Sequence, residues 1–333
     1  MRVAVFSAKR FDRELLAAAN ARYGHELVFF DALLEPETVS LARGFPAVCV
    51  FVNDQVEAGV VDALAAGGTR IIATRSTGFN QIDVKAAAAC GIPVVRVTDY
   101  SPYSVAEFAT GLLLALNRKI HKAYNRTRDG NFELEGLMGF DLHGRCVGVI
   151  GTGKIGRVFT RIMKGFGCDV VGYDKFPHPE FEQLGGRYVQ AVEIGAFADI
   201  ISLHVPLTPE THHIVNDRTL ATMKHGTLLV NTSRGGLIDT EVAIEALKSG
   251  RLGGLAIDVY EQEADLFFQD LSSEIITDDV IQRLVSFPNV IVTGHQAFFT
   301  REAVGTICAT TLESISDFEA GLPLKNQIKL SDR

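Results

Sequence analysis

The stretch CVGVIGTGKIGRV, Cys146 to Val158, decides the fold. A short apolar run ends in Gly151, Gly153 and Gly156 at G-x-G-x-x-G spacing, and a helix-like segment follows. A lone match of this kind is weak. Here strand, glycine turn and helix come in the required order, and Asp174 closes the next apolar run, VVGYD. Each glycine has a physical reason: Gly151 allows the tight turn, Gly153 lets the backbone approach a diphosphate, and Gly156 lets helix and strand pack closely. Unpaired N–H groups at the positive helix end then face the anion. Asp174 can accept hydrogen bonds from an adenosine ribose, and its charge repels a 2′-phosphate, which favours NAD over NADP. Lys175 beside it works in the opposite sense.

The motif begins in mid-chain, so another unit must precede it. Before it, RVAVFS, ELVFF, VCVFV, RIIAT and PVVRV recur as β-branched or aromatic runs, with helix-like segments such as DRELLAAANARYG and IDVKAAAACG between them. That rhythm predicts a parallel sheet covered on both faces. After it, VVGYD, IISLHV, GTLLVNTS, GGLAIDVY and VIVTGH continue a second series. The expectation is an α/β protein of two doubly wound parallel-sheet domains with a cleft between them. Residues 1–100, completed by 299–333, form the substrate domain, and residues 101–298 form the Rossmann NAD-binding domain. A length of 333 residues suits two domains. One long helix is predicted from about Ser104 to Arg128, apolar in its first half and basic in its second, and a last helix from about Glu302 to Ala320.

Composition removes other classes of function. With 47% hydrophobic and 22% charged residues and a net charge of −8, the chain is an ordinary globular protein without a basic block. Nucleic acid and anionic membranes are therefore poor partners. No signal peptide is visible, and no apolar stretch approaches the roughly 20 residues that span a bilayer. The five cysteines are scattered and never in a C-x-x-C pair, as expected for reduced thiols in a cytoplasmic protein. No metal is expected. His212 and His213 are adjacent, so a helix or strand would point them apart, and no Cys or carboxylate stands at ligand spacing.

Three polar residues stand where strands of the second series should end: Arg234 after LLVNTS, Glu263 after AIDVYEQ, and His295 after VIVTG. Ligands of open parallel sheets bind at the carboxyl ends of strands, which predicts one crevice for all three. Together they suit hydride transfer to a 2-keto acid. Arg234 offers a planar fork of donors to a carboxylate. His295 can give a proton to the carbonyl oxygen and take it back in reverse. Glu263 beside it favours the imidazolium form.

GTGKIGR, NTSRGGLID, AIDVYEQE and GHQAF together resemble the D-isomer specific 2-hydroxyacid dehydrogenase family, over nearly the whole chain. FVND, RKIHKAYNRTRDGNFELEGLMGFDLHG and the run up to VIVTGHQAF are most similar to its bacterial fermentative D-lactate dehydrogenases. The resemblance implies a flavodoxin-like substrate domain and Arg234, Glu263 and His295 as the catalytic set. It also implies cofactor contacts from Lys154, Ile155, Asp174, Val205, Pro206, Thr211, Thr232, Ser233 and Asp258, the last holding the nicotinamide carboxamide. For the substrate it implies the backbone of Thr77 and Gly78 in RSTGFNQID on the carboxylate, with Tyr100 and Phe298 bordering the methyl group. One departure is Phe108, where relatives often carry histidine. The activity implied is reversible NADH-dependent reduction of pyruvate to D-lactate by a homodimer or homotetramer. Other small 2-keto acids (2-ketobutyrate, phenylpyruvate, hydroxypyruvate, glyoxylate) and a non-catalytic NAD-sensing scaffold remain open alternatives.

Overall fold

The computed structural model describes residues 1–263 and 266–330. The chain divides into two compact units, Met1–Ser101 with Phe299–Arg333, and Pro102–Phe298. Each holds a wholly parallel sheet, as the alternation of apolar runs and helices predicts.

In the first unit the strands are β1 (Arg2–Val5), β2 (Glu26–Phe29), β3 (Ala47–Val50), β4 (Ile71–Thr74) and β5 (Val94–Val95), in the order β2-β1-β3-β4-β5. This is the flavodoxin-like order. β3 and β4 are buried at every position, so their residues do not alternate between polar and apolar; both faces of the sheet are covered. The helix Arg301–Glu319 returns to this unit and packs on the helix Arg10–Asn20 and on β4. Beneath the β4 loop lies the fully buried guanidinium of Arg75, 3.3 Å from Asp12 and donating to the carbonyl of Phe6. A buried charge survives only when paired, and this one fixes the start of the loop that carries Thr77 and Gly78.

In the second unit the strands are β6 (Cys146–Ile150), β7 (Asp169–Tyr173), β8 (Gly186–Tyr188), β9 (Ile200–Leu203), β10 (Thr227–Asn231), β11 (Leu252–Ile257) and β12 (Val290–Val292). Their order is β12-β11-β10-β9-β6-β7-β8, the Rossmann order with one strand added at the far edge. The order reverses between β6 and β9. There the glycine turn lies.

Two sequence expectations need correction. The single helix to Arg128 is two helices, Pro102–Arg118 and Ile120–Arg128, broken where Lys119 takes φ 51°. The Asn117 side chain explains the stop: its amide donates to the Phe140 carbonyl at 2.7 Å and its oxygen accepts from the Phe140 N–H at 3.0 Å, which ties the helix end to the following loop. β8 was not predicted, because GRY is short and mostly polar; it pairs at the sheet edge with β7. Phe108 lies on the first of the two helices, packed on the apolar core beneath the sheet.

Candidate active site

The glycine turn is shaped by close approach. Gly151 has φ 98°, a conformation that disfavours any side chain, and a Cβ there would stand 2.5 Å from the His204 backbone. A Cβ on Gly156 would meet the Gly151 carbonyl oxygen at 1.9 Å, so helix and turn touch backbone to backbone. Gly153 differs. It is the extended residue before the helix Lys154–Gly165, and a Cβ there would meet nothing within 4 Å. Crowded glycines thus flank an open one, with helix N–H groups beside the opening, as a dinucleotide diphosphate requires.

Around this turn the cofactor residues expected from the sequence fall on neighbouring strand ends. Asp174 follows β7; its Oδ2 accepts from the Thr152 N–H at 2.7 Å and its Oδ1 from the Phe176 N–H at 2.9 Å. An ionised carboxylate has about four acceptor positions, so capacity remains for ribose hydroxyls. Val205 and Pro206 follow β9, and the Ser233 hydroxyl donates to the Val205 carbonyl at 2.5 Å. Thr211 closes its own turn, its hydroxyl donating to the Pro206 carbonyl at 2.6 Å. Thr232 is buried, and its Oγ1 has no hydrogen-bond partner within the protein. Buried hydroxyls are almost always satisfied, so a polar ligand group at this point fits. Lys154 and Ile155 open the helix, with Ile155 packed on the core. The residues present fit NAD.

β10, β11 and β12 are adjacent, and their carboxyl ends carry Arg234, Glu263 and His295. His295 Nδ1 is 2.9 Å from Glu263 Oε1. The other carboxylate oxygen, Oε2, accepts from the Tyr260 N–H at 3.0 Å. A carboxylate can only accept, so Nδ1 carries the hydrogen and Nε2 is the atom left able to take up or give a proton. The Phe268 ring lies 5.8 Å from the imidazole, between centroids. Arg234 is half-buried after the carboxyl end of β10; its Nη1 donates to the Ser233 carbonyl at 2.6 Å. A Cβ on Gly235 would stand 2.1 Å from the Tyr260 carbonyl carbon, so the turn after Arg234 is pressed on the loop that carries Glu263.

Sequence reasoning missed what holds His295 in place. The residue adopts φ 55°, a left-handed conformation costing on the order of 1 kcal/mol for a non-glycine residue. The loop is pinned by Asp258, fully buried at the end of β11, which accepts from the Thr293 hydroxyl (2.6 Å), the Gln296 N–H (2.9 Å) and the Ala297 N–H (2.7 Å). Burial pushes the Asp258 carboxyl up from its ordinary value, while these three bonds act against the shift. Its place at a strand end was visible in AIDVY; its partners across the loop were not.

The substrate residues expected from the sequence lie as follows. Thr77 and Gly78 sit in the loop after β4, where the Gly78 carbonyl accepts from the Ser76 hydroxyl at 2.6 Å and the Thr77 carbonyl from Arg96 Nη1 at 3.3 Å. Both therefore use carbonyls to brace the loop. Tyr100 is half-buried near the end of its unit, and Phe298 is half-buried at the end of the other.

The expectation that His212 and His213 point apart is wrong. His213 has φ 49°, and this left-handed turn brings the two rings into a stack with centroids 3.9 Å apart. Both Nε2 atoms then approach Glu261 Oε1, His213 at 2.8 Å and His212 at 3.9 Å. A carboxylate does stand at ligand range, supplied from a distant loop.

A family model described as D-isomer specific 2-hydroxyacid dehydrogenase, NAD binding domain, matches residues 110–297. The D-lactate dehydrogenase of Escherichia coli is 48% identical, covering 98% of this chain and 100% of the relative. The 2-hydroxyacid dehydrogenase homolog 1 of Schizosaccharomyces pombe is 51% identical over 96% of each. A solved structure of the pyruvate reductase of Chlamydomonas reinhardtii superposes with a TM-score of 0.94 at 42% identity, over 98% of each chain. A chain with this sheet order, this glycine turn and these relatives belongs to the D-isomer specific 2-hydroxyacid dehydrogenase family, with NAD as its cofactor.

Proposed function

We propose that the protein catalyses the reversible, NADH-dependent reduction of pyruvate to D-lactate. NAD supplies the hydride chemistry. Everything else falls to the protein's own groups. His295 Nε2 gives a proton to the carbonyl oxygen as hydride reaches the carbonyl carbon, and takes it back in lactate oxidation. Glu263 holds Nδ1 and orients the ring. Arg234 binds the carboxylate and the carbonyl oxygen through its planar fork. Thr77 and Gly78 bind the carboxylate through backbone N–H groups, and Tyr100 and Phe298 border the methyl group. In this reading residues 1–100 with 299–333 serve the substrate, residues 101–298 serve NAD, and Asp258 meets the nicotinamide carboxamide as well as bracing the His295 loop.

The observation that carries the reading is the 2.9 Å contact between His295 Nδ1 and Glu263 Oε1. A solvated surface histidine has no need of a carboxylate whose second oxygen is itself fixed by a backbone amide. The choice of pyruvate is supported by the relatives, one a D-lactate dehydrogenase and one a pyruvate reductase. Steady-state rates with pyruvate, 2-ketobutyrate, phenylpyruvate, hydroxypyruvate and glyoxylate test it. Pyruvate should have the highest kcat/KM and yield the D-enantiomer. A clear preference for hydroxypyruvate or phenylpyruvate would remove lactate from the reading and keep the mechanism. Tight NADH binding without turnover of any of the five would replace the enzyme with a sensor.

A further inference from the structure

Outside this site, one cluster of side chains has the makings of a second. His212 and His213 end the loop that follows β9, and Glu261 lies on the loop that follows β11. One ligand atom from each residue lies within 4.8 Å of the other two. The two imidazoles reach one carboxylate oxygen through the same ring atom, Nε2. Tetrahedral zinc, with bonds near 2.0–2.2 Å, sets its ligands about 3.4 Å apart. The observed 2.8 and 3.9 Å bracket that spacing, so shifts of about half an ångström, within the reach of half-exposed side chains, would seat an ion.

Two features point to a built site rather than a chance ion pair. The first is backbone: His213 holds φ 49°, and that turn is what brings the rings to the same side. Histidine tolerates this conformation better than most residues, yet it remains uncommon. The second is the position of Asp239. Its Oδ2 lies 3.7 Å from His213 Nδ1, on the side of the ring away from Glu261. With an ion in place of the hydrogen that Nε2 shares with Glu261, a carboxylate near Nδ1 faces the hydrogen that then sits there, the arrangement that supports most metal-binding histidines.

We propose that His212, His213 and Glu261 bind a first-row divalent cation, with Zn²⁺ the best fit to two imidazoles and one carboxylate and with water as the fourth ligand. Asp239 acts as the positioning residue. The ion would join the loop after β9, which contains Val205, Pro206 and Thr211, to the loop after β11, which contains Glu263. Zinc therefore stabilises the folded chain and restrains both loops.

Chelator-treated full-length protein titrated with ZnCl₂ in a calorimeter, and with CoCl₂ followed by visible absorption, tests the site. One ion per chain should bind, cobalt should give ligand-field bands, and zinc should raise the melting temperature. His212→Ala, at a side chain 54% exposed, and Glu261→Gln, which keeps the shape, should each lower zinc affinity by more than about tenfold. Asp239→Asn should weaken it by about 10–100-fold through His213 alone. Absence of saturable zinc binding to the wild type would overturn the proposal. So would undiminished binding in both His212→Ala and Glu261→Gln, since the ion would then lie elsewhere. Should Glu261→Gln fail to fold by circular dichroism, His212→Ala still decides.

Discussion

His295 and His213 make a natural pair. Both take left-handed backbone, φ 55° and 49°, and both meet a glutamate from the same loop, Glu263 for one and Glu261 for the other. The difference lies in which nitrogen is held. Glu263 takes Nδ1 of His295, so Nε2 is available for proton exchange. Glu261 takes Nε2 of His213, and Asp239 approaches Nδ1, so both nitrogens face carboxylates. The same residue type, backbone and partner thus leave Nε2 open in one place and turned to a carboxylate in the other, which is why we propose a proton carrier for the first and a metal ligand for the second. A histidine's use depends on the side of the ring its partner approaches.

The comparison can be broken by exchanging the glutamates for neutral isosteres. Glu263→Gln replaces the ionised acceptor that holds His295 Nδ1 with a neutral amide. It should cost a large part of the roughly 10²–10⁴-fold that a positioned acid or base contributes, read as kcat for pyruvate reduction. Glu261→Gln should cost far less in kcat. Equal losses would mean that the two pairs do not differ in role.

Next in size is the loop anchor, which sharpens the comparison because the His213 turn is held instead by a neutral amide, Asn216, donating to the His213 carbonyl at 2.7 Å. Asp258→Ala leaves the Gln296 and Ala297 amides and the Thr293 hydroxyl without their acceptor. Stability should fall by about 1.5–3 kcal/mol in urea unfolding, with kcat reduced as the left-handed His295 relaxes. Wild-type stability in that variant would show that the loop holds itself.

The effect that is smallest near neutral pH concerns a third histidine. His204 sits behind the glycine turn, its Nε2 2.9 Å from the Ser202 hydroxyl and its ring against Phe159. Burial lowers its pKa from 6.5 to about 3. The folded state therefore binds fewer protons than the unfolded state between those values, and stability falls as pH drops from about 6.5 towards about 3. The loss is at most about 1.4 kcal/mol per pH unit from this group. His204→Gln should flatten that part of the stability curve; an unchanged slope would assign acid sensitivity to other groups.

Much of this was legible in the chain because it depends on local pattern. The buried parallel strands read as continuous apolar runs, and Gly151, Gly153 and Gly156 at their spacing require one turn. Arg234, Glu263 and His295 stood out because each polar residue directly follows an apolar strand. What was not legible depends on meetings between distant segments. The approach of Glu261 to two histidines, the grip of Asp258 on the His295 loop and the bond from Thr152 to Asp174 join loops far apart in sequence. The left-handed turns at Lys119 and His213 also escaped notice, since neither is glycine. Their conformation is imposed by neighbours, not by propensity.

The most direct test is the oxidation of NADH by pyruvate in wild type and His295→Gln, with NADH binding followed in both by fluorescence. The account predicts that kcat falls by about 10²–10⁴-fold in the variant while NADH binding persists, because Nε2 of His295 moves the proton and takes no part in holding the diphosphate. A variant that keeps most of its turnover would contradict it, and His295 would then be a braced structural histidine beside a glutamate.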